Sequence, residues 1–119
     1  MTGNEYQKLA ARTMNPALRG RDVLINGVMG LCGEAGEAID IVKKHLAQGH
    51  ELDREGLIKE LGDVAWYLAE TATALGIDLD EVLERNIDKL FLSYDVICAH
   101  PYRIMRNADL PIRTRPFHW

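Results

Sequence analysis

Cysteine is scarce in this 119-residue chain: Cys32 and Cys98 are the only two, and no C-x-x-C spacing occurs. That excludes a disulfide framework and a zinc knuckle and leaves two buried or idle thiols. Extended apolar stretches are missing too. The longest, VAWYLA at 64–69, falls far short of the roughly 20 residues that cross a bilayer. The opening MTGNEYQKL carries no apolar segment behind a basic one, so a cytoplasmic protein without membrane contact is predicted. No strand-like alternation competes with the helical period. Common phosphate and calcium loops fail as well. GLCGEAGE has neither the G-K-[ST] ending of a P-loop nor the G-x-G of a dinucleotide turn, and DLDEVLERN carries no calcium-loop glycine.

What is present is acidic charge, unevenly placed. Of the 14 Lys/Arg and 18 Asp/Glu, four and one fall in residues 99–119, which leaves 10 against 17 in residues 1–98, a formal balance of −7. An acidic body disfavours broad binding to a nucleic-acid backbone, and a polyphosphate ligand would have to arrive with cations. The chain is long enough for one domain with a core, read as residues 1–98, and short enough that a second copy would help bury apolar surface. AHPYRIMRNADLPIRTRPFHW, from residue 99 on, breaks the helical period and reads as an irregular basic tail.

Start and stop signals divide the body into four helices. Thr2 and Glu5 form a T-x-x-E capping box for a short first helix that NPALRG ends. A long second helix begins near Asp22 and stops at Gly49. Asp53 caps a third that closes at Gly76, and Asp78 with Glu81 makes a second capping box for the fourth. On the third helix, Leu57, Leu61, Val64, Leu68, Ala72 and Leu75 form one apolar stripe, and Ile58, Ala65, Trp66 and Ala69 add another. EYQKLAARTM offers a thin apolar face, so the second stripe is expected to be covered by another subunit. The fold class is therefore all-α: a four-helix bundle completed by oligomerisation, with an irregular C-terminal tail.

Two pairs of acids sit where apolar residues belong. Glu34 and Glu37, and again Glu60 and Asp63, stand three apart on one helix face. A single E-x-x-E pair usually marks a solvated surface, but Glu34 and Glu60 both fall within apolar stripes. Turned inward, four carboxylates would resist ionising together unless cations intervened. Two Mg²⁺ ions would formally cancel them, and an all-oxygen donor set favours Mg²⁺ or Mn²⁺ over zinc or iron. A di-iron bundle needs E-x-x-H pairs, whereas His45 and His50 stand eleven after Glu34 and thirteen after Glu37.

Other polar residues share this neighbourhood in the pattern. Asn86 interrupts the apolar stripe of the fourth helix, and Lys89 lies one turn along, together offering a donor and a cation to a phosphate. Lys43 and Lys44 follow the first acid pair by about two turns. Trp66 and Tyr67, beside Asp63, could stack on a base or simply pack.

These residues carry a resemblance. GLCGEAGEAIDIVKKH followed by LIKELGDVAWYLAETATALGIDLDEVLERNIDKL is similar to the MazG-like nucleoside triphosphate pyrophosphohydrolases, in the paired E-x-x-E and E-x-x-D, their GEAGE and ELGD surroundings, and the N-x-x-K of the last helix. The likeness covers residues 5–94. It implies an all-α homodimer or homotetramer that binds Mg²⁺ and hydrolyses a nucleoside triphosphate to the monophosphate and pyrophosphate. Position by position it makes Glu34, Glu37, Glu60 and Asp63 the metal ligands and Lys44, Asn86 and Lys89 phosphate contacts. Trp66, Tyr67 and Asn26 become candidates for the base, with Glu37 and Glu60 first to test as the group that takes a proton from water. The chain departs from the family's short polar ending after Tyr94.

Glycines at 27, 30, 33 and 36 each cost about 1 kcal/mol of helix propensity relative to alanine. They are expected to let a neighbouring helix approach and to leave room beside Glu34 and Glu37. An alternative from another class is a catalytically silent helical oligomer, acting in regulation or partner binding through the same scaffold.

Overall fold

A computed structural model describes residues 1–97, with side chains described through residue 92; the expected tail at 99–119, the boundary at 98 and Cys98 lie outside the described residues. Four α-helices and no strand occur among them, which bears out the all-α reading. Helix α1 is Gly3–Ala10, followed by a 3₁₀ turn at Ala11–Thr13; α2 is Arg21–Gln48, α3 Arg54–Leu75 and α4 Leu79–Ile97. No helix is long and apolar enough to cross a membrane.

Most of the punctuation follows local chemistry. The Thr2 hydroxyl accepts from the Glu5 N–H at 3.1 Å, and the Glu5 carboxylate accepts from the Thr2 N–H at 2.7 Å, closing the expected capping box. Gly49 (φ 71°) and Gly76 (φ 67°) take the left-handed conformation that ends α2 and α3. The Asp53 carboxylate accepts from the Gly56 N–H at 2.8 Å and opens α3.

Helices α2 and α3 form an antiparallel hairpin, and two of the four glycines explain how closely they lie. A Cβ on Gly27 would fall 2.5 Å from the Thr71 hydroxyl and 3.2 Å from its backbone nitrogen. One on Gly30 would fall 2.1 Å from the Tyr67 ring. The lost helix propensity is therefore exchanged for close packing across the seam, against backbone at Gly27 and against an aromatic ring at Gly30. Gly33 and Gly36 have nothing within 4 Å of such a Cβ and face open space.

The start of α4 differs from the expected local box. The N–H groups of Leu79 and Asp80 donate to Gln7 Oε1 (2.7 Å) and Asn4 Oδ1 (2.9 Å), both on α1. Asp80 in turn accepts from the N–H groups of Gly3 (2.9 Å) and Asn4 (3.3 Å). Two helix N-termini thus cap each other, while the Glu81 carboxylate pairs with Arg85 one turn on. Gly3 lets the Asp80 carboxylate come this close, because a Cβ would fall 2.5 Å from Asp80 Oδ1 and the carboxylate would have to shift.

This clasp seats α1 on α3. Ala10, Ala69 and Leu79 form the buried centre, with Tyr6, Trp66, Leu68 and Val82 packed on it. The stripe containing Trp66 and Ala69, expected to need a second subunit, is thus covered at these positions by α1 and the first turns of α4. The thin apolar face of α1 suffices because the small Ala69 lies at the centre of the contact, with Leu79 of α4 filling the remaining space. Much else stays outside: Met29 is 70% exposed and Leu92 68%, alongside Val28, Ile39, Leu46, Ile58, Leu61, Ile87 and Phe91.

Two stability measurements follow from these contacts. Gly30→Ala should lose about 1–3 kcal/mol against urea by overpacking Tyr67, whereas Gly33→Ala should gain up to about 1 kcal/mol of helix propensity. Asp80→Ala, which strips two α1 N–H groups of their acceptor, should cost about 1–2 kcal/mol in the same assay.

Candidate metal centre

The hairpin register brings an acid of α2 against two of α3. Carboxylate oxygens of Glu34, Glu60 and Asp63 lie within 4.8 Å of one another, Glu34 and Glu60 half-buried and Asp63 exposed. Glu37 is exposed one turn further along α2 and is not part of this group, although its charge still reaches Glu34. Partial removal from water raises the Glu34 pKa above its ordinary 4.5, and Asp63, Glu60 and Glu37 raise it further by repulsion, Glu60 also through a hydrogen bond. Glu34 therefore gives up its proton less readily than an isolated carboxyl. A divalent cation would favour the ionised form, and three clustered carboxylates suit a hard cation with oxygen ligands.

Helix α1 adds a residue that the sequence reading missed. Burial raises the Tyr6 phenol above its ordinary 10.0, and the Asp63 charge raises it further, so Tyr6 lies within electrostatic reach of the acid group. No spacing along the chain could show this, because Tyr6 arrives through the clasp between α1 and α4.

The remaining candidates scatter. Lys44 lies 2.7 Å from Asp40, which raises the lysine's pKa by its hydrogen bond and charge and is itself lowered in return; Lys43 stands 3.9 Å from the same acid. Trp66 packs on the core and donates from Nε1 to the Thr13 hydroxyl at 2.8 Å. Tyr67 fills the seam at Gly30 and meets Trp66 edge-on at 4.9 Å. Asn26 donates from Nδ2 to Glu70 Oε2 at 2.9 Å, and Glu70 is only 2% exposed. Glu70 escaped the sequence reading because a glutamate within a helix ordinarily signals solvent. Asn86 and Lys89 are exposed on α4, which touches α1 and α3 but not α2, so the chain alone does not bring them onto the Glu34 face.

Comparison with known proteins adds independent weight. The family model described as MazG nucleotide pyrophosphohydrolase domain matches residues 26–91. The chain is 46% identical over 66 residues to the Gene 37 protein of Mycobacterium phage L5, covering 52% of this chain and 58% of that protein. It is 47% identical over 49 residues to a polyphosphate kinase of Exiguobacterium sibiricum, covering 41% of this chain and 7% of that one. The matches therefore span less than two thirds of either relative. No solved structure matches the chain.

The raised Glu34 pKa has a measurable consequence. Because the folded chain holds this proton more tightly than the unfolded one, the associated stability is present below the ordinary carboxylate pKa and is lost as pH rises through the raised value. With metal removed by chelator, Tm should fall as pH rises across that window. Added Mg²⁺ should restore Tm chiefly on the high-pH side, and a metal response of the same size at all pH values would contradict a raised Glu34 pKa.

Proposed function

Because the chain belongs to the MazG nucleotide pyrophosphohydrolase domain family, we propose that it hydrolyses a nucleoside or deoxynucleoside triphosphate to the monophosphate and pyrophosphate, using Mg²⁺ with Mn²⁺ as a substitute. The observation that carries this reading is the convergence of Glu34, Glu60 and Asp63 within 4.8 Å in a chain whose body is otherwise acidic. Such a group would repel a triphosphate unless a cation joined the two.

Glu34, Glu60 and Asp63 would hold the cation, with Glu37 completing the set from the exposed side. Bound Mg²⁺ supplies positive charge to the phosphate oxygens and makes water more acidic. The chain's own residues do the rest. A carboxylate not fully committed to metal, Glu37 or Glu60, takes the proton as water attacks and the bond between the α- and β-phosphates breaks. Lys44, two turns beyond Glu37, offers a cation to the pyrophosphate end, although it must first loosen its contact with Asp40.

Assembly belongs to the same reading. The exposed apolar residues of α2, α3 and α4 support a cytoplasmic homodimer or homotetramer in which these faces pair. The α4 of a second copy would then bring Asn86 and Lys89 toward the phosphates that the single chain leaves to one side.

Pyrophosphate release from a panel of ribo- and deoxyribonucleoside triphosphates tests the activity. Release should require Mg²⁺, stop with chelator, and fall on the order of 100-fold in Glu60→Gln with helix content unchanged. Wild-type rates in that variant would refute the proposed site. An intact oligomer that releases no pyrophosphate from any substrate would favour the silent helical oligomer instead.

A further inference from the structure

One buried acid is left unexplained by the metal centre. Glu70 is 2% exposed, its Oε2 accepts from Asn26 Nδ2 at 2.9 Å, and its Oε1 is buried with no hydrogen-bond partner. A buried carboxyl with an unsatisfied oxygen works against stability, and an apolar residue of similar volume would pack there at less cost. What Glu70 does supply is direction. A carboxylate oxygen offers only an acceptor, so the Asn26 amide has to turn its nitrogen toward Glu70 and its oxygen away. Asn26 is half-buried, and its Oδ1 makes no hydrogen bond among the described residues.

We propose that Glu70 is a positioning residue that locks the Asn26 amide, so that the site prefers nucleobases bearing an exocyclic amino group over their oxo counterparts. This rests on the pyrophosphohydrolase reading, because it places the phosphates at Glu34, Glu60 and Asp63. Asn26 stands eight residues before Glu34, about 12 Å along α2, and Glu70 stands seven after Asp63, about 10 Å along α3. Both displacements run the same way along the seam, from the phosphate end toward where the base of an extended nucleotide would lie. No lysine or arginine is among the hydrogen-bond partners of the pair, which suits an uncharged base better than a phosphate.

An unrestrained amide can turn over to match either an amino or an oxo group, exchanging its donor and acceptor. Held by Glu70, the Asn26 amide presents an acceptor outward. It takes an N–H from the amino group of cytosine or adenine, and it meets the oxo group of uracil or hypoxanthine with acceptor against acceptor.

The test is the ratio of KM values for UTP over CTP, and for ITP over ATP, in the full chain with Mg²⁺. Wild type should show a ratio of about ten or more in each pair. Glu70→Leu should bring both ratios toward one, with the change falling in KM more than in kcat. Glu70→Gln offers a donor as well as an acceptor, so the Asn26 amide could turn over against it and both ratios should fall there too. Ratios that persist in Glu70→Leu, or a wild type that treats the partners alike, would overturn the proposal and reduce Glu70 to packing. Should Glu70→Leu not fold, the Asn26 side-chain amide resonances of ¹⁵N-labelled wild type decide: they should shift with CMP and not with UMP, and an equal or absent response to both overturns the inference. Wild type that releases no pyrophosphate would refute the proposed activity instead, and the resonance experiment would still judge Asn26 and Glu70 by themselves.

Discussion

Repulsion among Glu34, Glu60 and Asp63, held within 4.8 Å of one another, is the constraint around which the described structure is arranged. Charges this close push α2 and α3 apart, and what holds the helices together is a narrow seam. Gly27 and Gly30 keep it narrow by letting Thr71 and Tyr67 lie against bare backbone. The fully buried apolar centre is small, essentially Ala10, Ala69, Ala72 and Leu79, so the fold has little apolar reserve with which to offset unscreened charge. Protonation of Glu34, favoured by its raised pKa, would relieve part of the repulsion, and a divalent cation would relieve it while leaving the acids ionised.

Stability of the hairpin is linked to the chain's beginning through α1. Its Asn4 and Gln7 side chains accept from the N-terminus of α4 and its backbone N–H groups donate to Asp80 in return, while Gln7 Nε2 donates to the Ile77 carbonyl at 3.0 Å and to the Thr73 hydroxyl at 3.1 Å. Few apolar atoms are involved, so α1 is seated largely by direction-dependent bonds. Its position is correspondingly well specified, which matters because it brings Tyr6 toward Asp63 and sets Thr13 against Trp66. Packing of the first ten residues and the electrostatics of the acid group are thus coupled across the thickness of α3.

Features that depend on neighbours along the chain were legible from sequence, and those that depend on a partner helix were not. The Thr2 and Glu5 box, the Asp53 cap and the stops at Gly49 and Gly76 all follow from residues within one turn of each other. Glu34 and Glu60 drew attention in the sequence because they fall on apolar stripes, and Glu37 and Asp63 because each stands three residues further along the same face; the structure groups Glu34, Glu60 and Asp63 and leaves Glu37 one turn away. By contrast, the four glycines look alike in sequence, and only the facing helix separates Gly27 and Gly30, which are crowded, from Gly33 and Gly36, which are open. The cap expected from Asp78 and Glu81 lost to Asn4 and Gln7, more than seventy residues away, for the same reason. The Trp66 and Tyr67 rings, equally consistent with stacking on a base or with packing, make core and seam contacts that no periodicity could assign.

The order of polar groups along the α2/α3 seam ties these observations together. At one end several acids crowd an accessible face, where the open positions at Gly33 and Gly36 leave the approach to Glu34 and Glu37 clear of side chains. In the middle the Tyr67 ring closes the gap between backbones, and beyond it a single buried acid fixes one amide. An all-acid seam would drive the helices apart, and an all-apolar one would hold them with nothing to recognise. A tightly packed aromatic separates the two kinds of polar group, so the charge that a cation could screen stays at one end of the seam and the hydrogen-bonded Asn26–Glu70 pair is held apart from it at the other.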